Sequence, residues 1–331
     1  MNPSLLLIPG LLVAGLAHAS CGSSYCMVNT NWNTQGLSND SGLLVDLRYS
    51  YAKADQWRAG STKKATEAPS NSGEEIENRR TINQIVNLNL DYAINRQWGV
   101  ALGLPFVMRD HAHTLDAQSA DPVGQQAKFS ELGDIKVVGK YKFALPDPDA
   151  GAGLRFGAKL PTGATNKVMT PNSPDDPDTP YKLERSSQPG SGSTDGILGA
   201  YYFQNRPGND LGWFVSTQIQ TALAIKDGYR PGNELTLDVG MHYEVAHGLN
   251  LLLQANALRR SRDSGINANP ASGGHSISLS PGLNYALTPQ AALYAYIQRP
   301  IVQYLNGAPG DPASGQLAAR YSATLGLNQR F

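Results

Sequence analysis

The chain has 331 residues, with 27 Lys plus Arg balanced by 27 Asp plus Glu, six His and two Cys. A net charge of zero gives no basic footprint for nucleic acid and no charge excess of the kind that keeps a chain unfolded. Only 16% of residues are charged, while 34 Gly and 15 Tyr accompany a 40% apolar fraction, a composition foreign to helical membrane proteins and to helix-rich enzymes.

The amino end reads as a targeting segment. Residues 5–17 are apolar, too short a run for the roughly twenty residues of a spanning helix, and Ala17-His18-Ala19 closes it as an A-x-A cleavage site. Residues 1–19 are therefore expected to be a signal peptide. A lipoprotein anchor at Cys21 is the alternative, but His18 stands where a lipobox carries Leu or Val. Residues 20–41 are then a periplasmic N-terminal segment carrying Cys21 and Cys26. In an oxidising compartment that pair reads as a small disulfide loop, and a soft metal site with Met27 is the rival.

From residue 42 onward the pattern has period two. Leu43, Val45, Leu47, Tyr49 and Tyr51 share one face, with Asp46, Arg48 and Ser50 on the other. The pattern returns in Val86, Leu88, Leu90 and Tyr92, and again in Trp98, Val100, Leu102, Leu104 and Phe106. Next, Ile135, Val137, Gly139, Tyr141 and Phe143 oppose Lys136, Lys140 and Lys142, and Leu154, Phe156, Ala158 and Leu160 oppose Arg155 and Lys159. Weaker segments lie near 194–204 and 211–223. Leu235, Leu237, Val239, Met241 and Tyr243 then oppose Asp238, His242 and Glu244. Strands around 249–256, 277–285 and 291–303 follow, and a last one runs from about residue 316 to Phe331. No apolar stretch past residue 19 approaches a helical span, so a membrane would have to be crossed by these strands, about twelve in number.

Short turns near 94–96, 145–151, 206–208, 246–247 and 288–289 alternate with long polar connections at about 53–80, 109–132, 162–193, 224–233, 260–273 and 304–315. Consecutive antiparallel strands return the chain to one side at every second connection, so this sorting predicts an all-β transmembrane antiparallel up-and-down barrel over residues 42–331. A soluble β-sandwich also alternates, but gives no reason to sort its loops. An even strand number places both termini on the periplasmic side. Tyr321, Ala323, Leu325, Leu327 and terminal Phe331 then look like the C-terminal signal read by the barrel insertion machinery, with outer-membrane lipid around the barrel.

The segment Gly133-Asp134-Ile135-Lys136 leading to Lys140-Tyr141-Lys142-Phe143, and then Gly157-Ala158-Lys159-Leu160-Pro161-Thr162-Gly163, resembles the outer-membrane transporters named for the meta-pathway of phenol degradation. That resemblance implies an outer-membrane barrel and a channel or transporter for small hydrophobic or aromatic solutes, and it assigns no site residues.

Enzymatic motifs are nearly absent, and no cofactor or nucleic-acid partner is expected. His275-Ser276 lacks the Asn-Gly of the barrel phospholipases, and neighbouring strand residues face opposite ways. The candidate lumen-lining residues are Lys136, Lys140, Lys142, Arg155 and Lys159 as a basic ladder, with Asp238, His242 and Glu244 about four strands away. Two walls of unlike sign would set up a transverse field, unless the charges pair and fill a closed barrel. Asp175-Asp176-Pro177-Asp178 is a Ca²⁺ candidate or a solvated turn, and His111 with His113 beside Asp110 is a metal candidate or an exposed loop. Residues 59–75 and 186–195 read as mobile. The expected function is passage of a small solute. The alternative is a closed structural barrel, a platform for a periplasmic partner or a metal-handling protein at the N-terminal Cys segment.

Overall fold

The computed structural model describes residues 28–36, 42–64, 76–115, 120–172, 177–206, 210–311 and 314–331. The signal-peptide stretch, Cys21, Cys26, Asp175 and Asp176 lie outside the described residues.

Twelve antiparallel staves close into one barrel. The first three, β1 (Gly42–Ala59), β2 (Ile76–Ala93) and β3 (Trp98–Leu115), each have 18 residues. The fourth is broken into β4a (Val123–Leu132) and β4b (Lys136–Lys142). Then come β5 (Ala150–Lys159), β6 (Thr194–Arg206), β7 (Leu211–Ala224), β8 (Glu234–Ala246) and β9 (Leu249–Arg260). The last three are β10 (Gly274–Ala286), β11 (Ala291–Leu305) and β12 (Gln316–Arg330). Closure comes from β1 pairing with β12, from Leu44 opposite Arg330 to Arg58 opposite Gln316. In hydrocarbon that seam is obligatory, because each unpaired backbone group would cost several kcal/mol.

The alternation assigns the faces as the sequence predicts. Leu47, Tyr49, Val137, Leu154, Leu237, Leu251 and Leu325 point outward and are exposed, whereas Asp46, Arg48, Ser50, Lys140, Asp238 and Asn256 point inward and are buried. On the outer surface, Trp98 packs against Tyr141 at 4.8 Å and Phe156 at 6.3 Å, near the short-turn end. Aromatic rings with polar edges suit a membrane interface.

Two long connections differ from expectation. Much of 53–80 and 109–132 is strand: β1 and β2 reach Ala59 and Ile76, β3 reaches Leu115, and β4a pairs with its outer half. An 18-residue strand exceeds the nine to eleven residues of a bilayer crossing by about seven, or ~23 Å of wall beyond the membrane. In that outer wall the inner face carries two apolar clusters, Ala52, Ala54, Trp57, Leu317 and Ala319 in one and Val107, Ala127, Phe129, Met169 and Leu183 in the other, beside buried polar groups such as Asn83, Arg109 and His111.

The connection between β5 and β6 also departs from its mobile reading. Ser187 and Gln188 are buried, Ser193 is fully buried, and this chain folds into the barrel instead of standing in solvent. It covers the place where the fourth stave breaks, since β4a pairs with β3 and meets Thr170 through a single bridge at Gln126.

Candidate functional site: the barrel chamber

Inside the barrel is a chamber of about 540 Å³, within the range of small-molecule sites. Two chain segments bound it.

At the short-turn end, residues 28–36 cross the lumen. The Trp32 indole donates to the Asp46 carboxylate at 3.2 Å and lies edge-on to Tyr294 at 4.7 Å. Arg48 donates to Thr30, Gln254 donates to the Asn29 carbonyl at 2.9 Å, and Asn205 to the Gly36 carbonyl at 3.0 Å. Contacts therefore run from β9 and β11 on one side to β6 on the other. Within the N-terminal segment 20–41, the described part packs Val28 and Trp32 with Leu44, Leu252, Tyr294 and Tyr296 inside the barrel. Burying an indole whose N–H meets a carboxylate is more favourable than leaving it in water.

At the long-loop end, the residues that suggested the family resemblance tie the inward fold. The Thr162 hydroxyl donates to the Gly133 carbonyl at 2.8 Å and accepts from the Ile135 amide at 2.9 Å. Asp134 accepts from the Gly163 amide at 3.0 Å, the Ser191 amide at 2.8 Å and the Ser191 hydroxyl at 2.7 Å, and it meets Lys159 at 3.2 Å. A Cβ on Gly163 would stand 2.6 Å from Gly190 Cα, so the two chains can touch only as glycines. Arg109 reaches the Ser187 carbonyl at 2.5 Å. On the facing side, the Tyr229 hydroxyl donates to Asp263 at 3.0 Å, and burial together with that carboxylate holds its phenol well above the ordinary range.

The predicted charges separate into three groups. Lys136, Arg155, Lys159 and Asp238 line the chamber. Lys140 is ion-paired with Asp91, reaching across β3 at Gly99, where a Cβ would stand 3.0 Å from Lys140 Cε. Lys142 stands over the Phe203 ring at 5.7 Å. His242 packs against Gly212, and Glu244 accepts from the Gly248 amide at 2.9 Å, so both belong to the short-turn end and not to the chamber wall.

The ladder itself is real as backbone register, with Lys136 opposite Lys159 and Lys140 opposite Arg155. Like charges placed directly opposite repel. Carboxylates on neighbouring staves offset this: Lys159 meets Asp195 at 2.9 Å as well as Asp134, and Arg260 meets Glu234 at 3.4 Å and Asp263 at 2.6 Å. The pairing is thus lateral along the wall. Sequence reading missed Asp91, Asp134 and Asp195 as partners because each lies on a different segment from its cation.

The metal candidate does not assemble. His111 accepts or donates at Thr81 (2.8 Å) and His113 at Gln125 (3.0 Å), both inside the wall, whereas Asp110 faces outward to Gln126 at 2.7 Å. Among the described residues no three His, Cys, Asp or Glu converge as a metal site. His275 stacks on Tyr304 at 5.1 Å, a packing role.

Comparison with known proteins agrees with this architecture. Residues 179–301 match the family model described as "Putative MetA-pathway of phenol degradation". No curated protein matches significantly. The COG4313 outer membrane channel from Pseudomonas putida F1 is similar in fold, with a TM-score of 0.63 at 11% identity, covering 92% of this chain and 100% of that one. The Ralstonia pickettii toluene transporter TbuX is more distant, with a TM-score of 0.46 at 9% identity over 91% of this chain and 93% of that one, and bears no weight on the fold. By its match over 179–301 and its fold over nearly its whole length, the chain resembles the outer-membrane barrels of the phenol meta-pathway family.

Proposed function

We propose that this protein is an outer-membrane channel for a small solute, exported by a signal peptide within residues 1–19 and inserted by the barrel machinery acting on the C-terminal strand. The observation that carries this reading is the chamber. A closed barrel with a lipid-compatible exterior holds a space of about 540 Å³ bounded by two docked segments rather than by a continuous packed core. Barrels of about eight strands fill their interior with side chains, and twelve strands enclose more room. Here the space is lined by charged groups together with Val28, Leu44, Ile85, Val138 and Leu258. That mixture suits a small molecule with an apolar body, and the phenol-degradation description of the matched family supports an aromatic one. No cofactor and no covalent step belong to this reading.

Purified protein in liposomes tests it. Swelling rates in iso-osmotic solutions of graded small solutes should exceed those of empty liposomes and fall steeply as solute size rises. Rates equal to empty liposomes for every solute would leave the barrel as a platform.

A further inference from the structure

We propose that the chamber holds a carboxylate-binding site centred on Arg155, which takes a small organic monocarboxylate with an apolar body. This deepens the channel reading and rests on it for the ligand's route, though the binding itself does not need transport.

Three observations carry it. First, the chamber is cationic in a chain of zero net charge: seven Lys or Arg line it against five Asp or Glu. An excess of positive charge in an enclosed, low-dielectric space favours an anionic guest. Second, the excess sits at particular atoms. Among the described residues Arg155 faces the chamber with no hydrogen bond or ion pair, and its Nε is buried without a partner. Its electrostatic neighbours, Asp91 and Asp238, are already engaged, the first by Lys140 and the second by Asn256 at 2.8 Å. Among the described residues Lys136, also on the chamber wall, has only the neutral Gln220 amide oxygen at 3.1 Å as a hydrogen-bond partner. The carboxylates near it, Glu234 and Asp195, are held by Arg260 at 3.4 Å and Lys159 at 2.9 Å.

Third, there is room at Arg155. Gly199 lies directly opposite it on β6 and Gly157 is the next residue on the same face of β5, so neither position puts a side chain over the guanidinium, while the space over Gly153 is taken by the Tyr201 ring. A planar guanidinium fork left open in this way matches the two oxygens of a carboxylate, which it can hold in a bidentate pair. A guanidinium with a buried, unpartnered nitrogen is costly, so supplying its counter-charge from a ligand is favourable. Ile197, Val138 and Ile85 offer the apolar body a surface.

The test is calorimetric titration of the full-length mature protein in detergent micelles with benzoate, with benzamide as neutral isostere and with inorganic phosphate. Benzoate should bind at least about tenfold more tightly than either. Arg155→Gln should weaken benzoate about tenfold and leave benzamide unchanged, while Arg155→Lys, which keeps the charge but loses the fork, should fall between them. Heat-modifiable gel migration checks that each variant has folded. If Arg155→Gln does not fold, the wild-type comparison decides alone. Equal binding of benzoate and benzamide, equal binding of phosphate and benzoate, or benzoate binding unmoved in folded Arg155→Gln, would each overturn the site. Liposome swelling separates the two readings. Neutral-solute passage with benzoate bound no more tightly than benzamide leaves the channel and removes the site, whereas tighter benzoate binding without passage of any solute removes the channel and leaves the site.

Discussion

Asp46 shows how much of the lumen's order passes through single groups. One carboxylate accepts from the Trp32 indole, the Tyr294 hydroxyl at 2.7 Å and Asn89 at 3.3 Å, so it joins the crossing segment to β1, β2 and β11. Replacing it by Ala strands buried donors at about 1–3 kcal/mol each. That loss is large beside the docking of nine residues and small beside a twelve-stranded barrel. Asp46→Ala should therefore release the N-terminal segment while the barrel remains closed. Faster proteolysis near residues 28–36 with unchanged heat-modifiable migration is the expected result. Asp134 has the same standing at the other end. Asp134→Ala removes the acceptor for the Gly163 and Ser191 amides while Lys159 keeps Asp195, so the loss is that of stranded buried donors, about 1–3 kcal/mol each. Hydrogen exchange across 160–193 should speed up in that variant, and unchanged protection would mean the knot is held elsewhere.

At the scale of strands, the parts in contact with lipid were legible and the parts beyond it were not. Between Leu43 and Tyr51 every second residue must meet hydrocarbon, so the period is written plainly in the sequence. Past Ala52 the outward residues include Lys53, Asp55 and Arg320, which pair with one another in water, and the pattern dissolves although the backbone ladder continues. The inward fold of 160–193 was hidden for a different reason. Its ties are made by Ser, Thr, Gly and Asp, the residues that also make solvated loops. The chamber charges were legible as a face but not as pairs, since lateral pairing depends on register. That pairing also changes which substitutions report on selectivity. Lys140→Glu or Lys159→Glu would set carboxylates against Asp91 or Asp195 and threaten folding. Lys136→Gln with Arg155→Gln removes two cations that form no ion pair with any described carboxylate. In a salt gradient this double variant should shift the reversal potential toward cations, and an unmoved potential would show that current bypasses this wall.

Over the whole molecule, closure and orientation are coupled. Removing residues 326–331 deletes the partners of residues 44–48 along the seam, five register pairs at the short-turn end. It also removes Phe331, whose amide donates to the Leu43 carbonyl at 2.8 Å. Such a chain should accumulate outside the outer-membrane fraction without heat-modifiable migration, whereas normal abundance there would contradict both the seam and the signal. Single cysteines at positions 71 or 176, in a chain without the native pair, should react with an impermeant reagent on intact cells, and cysteines at 147 or 207 should not. The reverse pattern would invert the barrel. The central claim is that the chamber lies on a route across the membrane. The most direct test is planar-bilayer conductance of the mature protein beside a version lacking residues 20–36, whose described part fills the short-turn end. The predicted result is a small conductance that rises several-fold when the segment is removed. Identical silence from both, with each shown to be a closed barrel, would contradict the channel and leave the barrel as a scaffold.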